Sequence, residues 1–117
     1  MENKYNIGGQ IWVQKDGGNF MGPGRINLLE KLIDNSNLKV AAKEANIDYD
    51  IALKNIISIN KIANKPLAIE DKEDKNIYTI TNYGKKIIQT YKTLKKEHDE
   101  FLKVINEKFT KELLDSK

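Results

Sequence analysis

The chain has 117 residues, of which 32% are charged and 39% hydrophobic, and its formal net charge is +3. That is enough chain for one domain with one core, and the mildly basic balance permits nucleic acid as a partner without requiring it. The absence of cysteine excludes disulfides and thiolate metal sites. The polar start MENKYNIGGQ has no signal-peptide core, and no apolar run approaches the roughly 20 residues that span a bilayer, so a soluble cytoplasmic protein with no membrane partner is expected.

Residues 9–22 (GQIWVQKDGGNFMG) read as a β-hairpin, with Ile11 and Val13 alternating with Gln10, Trp12 and Gln14 around the turn signal Asp16-Gly17-Gly18. Pro23 and Gly24 are expected to break the chain. A helix follows over 25–35, with Ile26, Leu29 and Leu32/Ile33 at helical spacing. Asn35-Ser36-Asn37 ends it and offers a cap to a short helix over 38–45. After the tight turn Asn46-Ile47-Asp48, a longer helix over 49–63 has an inner face of Ala52, Ile56, Ile59 and Ala63, with Asp48 placed as its N-cap. Pro66 stops it. Strands are predicted at 67–70 and 77–81 around the polar loop DKEDKN. Thr81 then caps a last helix from Asn82 to about Leu114, with a fraying tail from Asp115.

The spacing inside 38–63 is the informative part. Ala42 is small where two helices would cross, and Asn46, four residues on, suits a left-handed turn position. Ile47 plugs the core, and Ala52 and Ile56 anchor the second helix. Followed at once by a two-stranded wing, this is the order of a winged helix-turn-helix. The expected fold is mainly α with small β: an N-terminal hairpin and winged helix-turn-helix in residues 1–84, and a long C-terminal dimerisation helix in 85–117.

The run GPGRINLLEKLIDNSNLKVAAKEANIDYDIALKNIISIN, with TITNYG after it, resembles the N-terminal winged-helix domain of the ModE molybdate-responsive regulators, and more distantly LysR-type DNA-binding domains. The likeness runs from about Gly9 to about Leu102 and is carried by GPGRINLL, AAKEANIDYDIA, Asn60, Thr81 and Tyr83-Gly84. It implies a prokaryotic transcription factor that binds DNA as a dimer. The family's molybdate-binding domains have no counterpart before Lys117, so neither a ligand domain nor a molybdate response is expected. The sequence also departs from the family at the wing tip, EDKEDKN in place of a glycine-rich tip, and at Asp48 and Asp50 on either side of Tyr49.

Charge is uneven along the chain: net 0 over 1–35, +2 over 36–66, −2 over 67–84 and +3 over 85–117. DNA affinity rests mostly on neutralised phosphates. Lys39 and Lys43 on the first motif helix, and Lys54, Ser58 and Lys61 on the second, are the phosphate candidates, with Lys85 and Lys86 opening the last helix. Tyr49, Asp50, Leu53 and Lys54 stand where recognition-helix side chains reach bases. Tyr49 either meets a phosphate or thymine methyl, or packs on the preceding helix. Asp50 either accepts from cytosine N4 or stabilises the helix dipole. Leu53 either touches a thymine methyl or belongs to a protein-binding patch. Lys72 and Lys75 in the wing are opposed by Glu70, Asp71, Glu73 and Asp74, so the wing is expected to contribute little or stay mobile.

Ile87, Tyr91, Leu94, His98, Phe101 and Ile105 step by four and three, an a/d seam of nearly three heptads. Ile88, Leu102, Phe109 and Leu113 broaden it. The domain has too little surface to cover the far half, which points to a second copy of the chain and, through it, to a palindromic site on double-stranded DNA. No catalytic, metal or cofactor site is expected. The single histidine, His98, lies in a Lys/Glu-rich tract, and GGNFMGPGR lacks the strand and βαβ setting of a nucleotide loop. The reading is therefore a homodimeric DNA-binding regulator. Its rival is a winged-helix interaction module that has lost specific DNA binding, motivated by the acidic substitutions and by Leu53 and Ile57.

Overall fold

Pro23 opens the first helix instead of breaking the chain. In the computed structural model, which describes residues 5–115, it occupies the first turn of α1 (Pro23–Asp34) with Gly22 as the capping residue. A proline is well suited there, because the N–H it lacks has no intrahelical acceptor anyway. Before α1, β1 (Val13–Lys15) and β2 (Gly18–Met21) form an antiparallel hairpin, shorter than the stretch 9–22. Its turn is two residues, Asp16 (φ 53°) and Gly17 (φ 83°), the positive-φ pair that matches strand twist.

α2 (Leu38–Glu44) starts at Asn37, whose side chain accepts from the Lys39 and Val40 amides. It ends at Ala45, and Asn46 follows in the left-handed region at φ 61°. The Ile47 amide donates back to Ala42 O at 3.0 Å, which folds the turn tightly into α3 (Tyr49–Ile62). Asp48 stands at the N-cap position of α3, but its side chain makes no capping hydrogen bond; only its carbonyl takes part, accepting from Ala52.

β3 (Ala68–Glu70) and β4 (Tyr78–Ile80) form a second antiparallel hairpin. The link between α1 and α2 joins its edge, with Tyr78 N donating to Ser36 O and Leu38 N to Asn76 O. α4 (Asn82–Asp115) begins under the Thr81 hydroxyl, which accepts from Gly84 N at 2.9 Å. The tail beyond Asp115 lies outside the described residues.

The chain is thus mainly helical with two small antiparallel sheets, compatible with a winged-helix-like fold. The core gathers Leu28, Leu29 and Leu32 of α1, Leu38, Ala41 and Ala42 of α2, and Ala52, Ile56 and Ile59 of α3, with Leu67 and Tyr78 from the second hairpin. α4 joins only through its first turns, burying Ile88 and Tyr91. The molecule is consequently long, 67 × 28 × 22 Å.

The far half of α4 is not bare. Residues 5–11 run along one flank of it. The Tyr91 hydroxyl donates to Ile11 O at 2.9 Å, a Cβ on Gly9 would stand 3.5 Å from the His98 ring, Ile7 N donates to Asn106 Oδ1 at 3.1 Å, and Tyr5 meets Phe109 edge-on at 5.4 Å. The expectation of too little surface to cover the far half is thus modified on one flank only, since Phe101, Val104 and Phe109 remain exposed. No helix among the described residues is long and apolar enough to cross a membrane.

Candidate nucleic-acid interface

α3 is fixed from three directions by side chains, which leaves one face outward. From α1, Arg25 donates through Nε to Asn55 Oδ1 (3.0 Å), through Nη2 to Ser58 Oγ (3.2 Å), and through Nη1 to the carbonyls of Asn19 and Phe20 (3.0 Å each). One planar fork with five donors can join a helix, a strand and a neighbouring helix; a lysine ammonium cannot match that geometry. Partial burial lowers the Arg25 pKa from its ordinary value, and its side chain still carries its charge.

On the other flank, Asn60 grips the second hairpin. Its Nδ2 donates to Ala68 O at 2.8 Å, and its Oδ1 accepts from Leu67 N and Ala68 N at 2.9 and 3.3 Å. At the C-terminal end, Lys15 Nζ donates to Ile62 O and Asn64 Oδ1, placing a cation where the helix dipole favours one.

The outward face carries Asp50, Lys54, Ile57 and Lys61, all exposed and spaced four, three and four, hence on one side of the helix. Leu53 adjoins them but is half-buried against the core. Beside the start of α3, an open groove of about 530 Å³ is lined by Lys39, Lys43, Asn46, Asp48, Tyr49 and Ile51. Lys39 sits over the Tyr49 ring at 5.8 Å, and the Tyr49 hydroxyl reaches Asn76 Oδ1 of the β3–β4 loop at 3.4 Å. The structure therefore brings Lys39, Lys43 and Tyr49 to one groove, and Asp50, Lys54 and Lys61 to the adjoining face.

Ser58 does not join them as a free hydroxyl. Helical spacing put it on the outer side, but Arg25 reaches across from α1 and bonds it, leaving it half-buried. Leu53 is likewise less exposed than its polar surroundings suggest.

The acidic loop between β3 and β4 has its own architecture. Asp71 Oδ2 accepts from Glu73 N and Asp74 N, both at 3.0 Å, and Asp74 Oδ1 accepts from Asn76 N at 2.9 Å. Asp71 and Asp74 thus shape the turn by the side-chain-to-backbone bonding that favours aspartate in loops. Lys72 and Lys75 are exposed beside them.

On α4, the residues of the heptad seam divide. Tyr91 is buried in the core of the chain, its pKa raised by burial first, so it is not a surface residue. Ile87, His98 and Ile105 are half-buried, Ile87 against the core and His98 beside the N-terminal segment. Leu94 and Phe101 stay exposed, at 45% and 58%, and so does Val104, outside the predicted seam, at 49%.

Arg25, Asn55 and Lys15 were not singled out by sequence pattern. The one available signal was compositional: Arg25 is the lone arginine among 20 basic residues. No group of three or more metal-ligating side chains occurs among the described residues.

No protein-family model matches the chain. It is similar to the transcriptional regulator ModE of Haemophilus influenzae, with 26% identity over 90 residues, covering 75% of this chain and 35% of that protein. The chain thus spans about a third of the length of this curated relative.

Proposed function

We propose that the chain is a DNA-binding transcriptional regulator with a winged helix-turn-helix in residues 1–84, whose α3 enters the major groove of double-stranded DNA. The observation that carries this reading is the rigid mounting of α3. Arg25, Asn60 and Lys15 hold it on its flanks and at its end, while a face with Lys54 and Lys61 points away from the core beside the Lys39/Lys43 groove. A preorganised helix with unpaired lysines suits a polyanion, since ordering is complete before binding. The likeness to a transcriptional regulator supports the same class.

In this reading α4 acts as the dimerisation helix. The exposed strip of Leu94, Phe101 and Val104 meets its copy on a second chain, with Ile87, His98 and Ile105 at its border. Two copies of α3 then face a palindromic site.

Binding to genomic duplex fragments, titrated against salt, tests the proposal. A selected palindrome and a steep fall of affinity with salt are expected; no selection and a flat salt response would sink it. A second reading, a winged-helix module for protein partners, is favoured by the ordered acidic wing loop and by exposed Ile57 and Ile69. It predicts that flat response.

A further inference from the structure

The hydrogen bonds that mount α3 also engage its two asparagines and its serine. Asparagine reads adenine through its amide, and α3 has two, Asn55 and Asn60. Asn55 Oδ1 is occupied by Arg25, and Asn60 uses both ends of its amide on Leu67 and Ala68. The Ser58 hydroxyl is taken by Arg25, and the guanidinium of Arg25 spends donors on four partners. On the outward face this leaves Asp50, Lys54, Lys61 and one apolar side chain, Ile57, 58% exposed.

Ile57 lies three residues after Lys54, four after Leu53 and four before Lys61, so it stands among lysines with the flank of Leu53 beside it. A protein interface needs a cluster of apolar side chains at its desolvated centre; Ile57 instead stands between Lys54 and Lys61, with the other exposed isoleucines, Ile51 in the groove and Ile69 on β3, off this face. Duplex DNA offers what this arrangement fits: phosphates for the lysines and, in the major groove, the C5-methyl of thymine for an aliphatic side chain.

We propose that Ile57 is a specificity-determining residue that contacts a thymine C5-methyl, flanked by Leu53, so that this face discriminates by thymine methyl groups and not by amide bonds to adenine. The inference rests on the reading that α3 enters the major groove.

The test starts from a pool of random duplexes bound by the full chain. A selected duplex is remade with deoxyuridine for thymine, which deletes the methyl and keeps the pairing edge. Loss of one buried methyl corresponds to about fourfold weaker binding per contacted thymine. Ile57→Ala should bind the two duplexes alike and should match the parent protein in thermal unfolding, because the side chain is largely exposed. Equal binding of both duplexes by the parent protein overturns the inference, as does a thymine preference kept by Ile57→Ala. A pool from which nothing is selected overturns the major-groove reading, and this inference with it.

Discussion

Asn60 and Ala68 are joined twice: the asparagine amide donates to the Ala68 carbonyl at 2.8 Å and its oxygen accepts from the Ala68 amide at 3.3 Å. The same oxygen also holds Leu67 N. Leu67 and Ala68 are buried, so water replaces these bonds poorly. Asn60→Ala is expected to cost about 2–4 kcal/mol in urea unfolding, with loss of hydrogen-exchange protection at the Leu67 and Ala68 amides. Unchanged protection there would show that Asn60 does not hold the second hairpin to α3.

Gly84 is expected to resist substitution although it sits in a helix. An alanine gains about 1 kcal/mol in intrinsic helix propensity. Its Cβ, however, would lie 2.5 Å from the Leu67 carbonyl oxygen and 2.9 Å from Ile80 Cγ2. The overlap with backbone should win, and Gly84→Ala should lose about 1–3 kcal/mol net, measurable by denaturant titration.

Lys54→Ala should weaken DNA binding on all sequences and lower the salt slope by about 1, as expected for one lost phosphate contact. Asp50→Ala should relax sequence preference more than it lowers affinity. A mobility or anisotropy titration at three salt concentrations reads both. If both substitutions are silent, the docking of α3 is wrong.

Phe101→Glu should convert a dimer to a monomer in sedimentation at micromolar concentration, with the far-ultraviolet circular dichroism unchanged. The charge falls on the exposed strip of α4 and not on Ile88 or Tyr91, which belong to the hydrophobic core. A parent chain that sediments as a monomer at that concentration would refute the dimer.

Alkaline pH should unfold the protein through two tyrosines. Burial raises the pKa of Tyr78, helped by Glu70 and Tyr49, and burial raises that of Tyr91, helped by Asp99 and opposed by Lys95, both from an ordinary 10.0. A folded-state pKa above the unfolded one favours the neutral form in the fold. The contribution is complete below about pH 10 and is lost as pH rises through the folded values. Tyr91→Phe should flatten the alkaline limb of a stability-against-pH profile while costing the hydrogen bond to Ile11.

Features set by neighbours in sequence were legible without coordinates. Asn46 in the left-handed region, Asn37 and Thr81 as caps, and the inner face Ala52, Ile56 and Ile59 all follow from spacing and residue type. Asp48 shows the limit of that logic: the right residue type in the right place makes no capping bond. Ties between distant segments were not legible. Arg25 meets Ser58 across 33 residues and Ile7 meets Asn106 across 99, and no local periodicity encodes which distant partner a donor will find. For the same reason Ser58 read as a free surface hydroxyl and Tyr91 as a seam residue. Pro23 read as a breaker because its two roles, ending one element and starting the next, look alike in sequence.

The segment along α4 has a consequence for how the protein matures. During synthesis from the N-terminus, Ile7 is made 99 residues before its acceptor on Asn106. The three-helix core can close first from contacts between nearby segments, which form fastest. Residues 5–11 therefore wait for α4, and their docking comes after the three-helix core has closed.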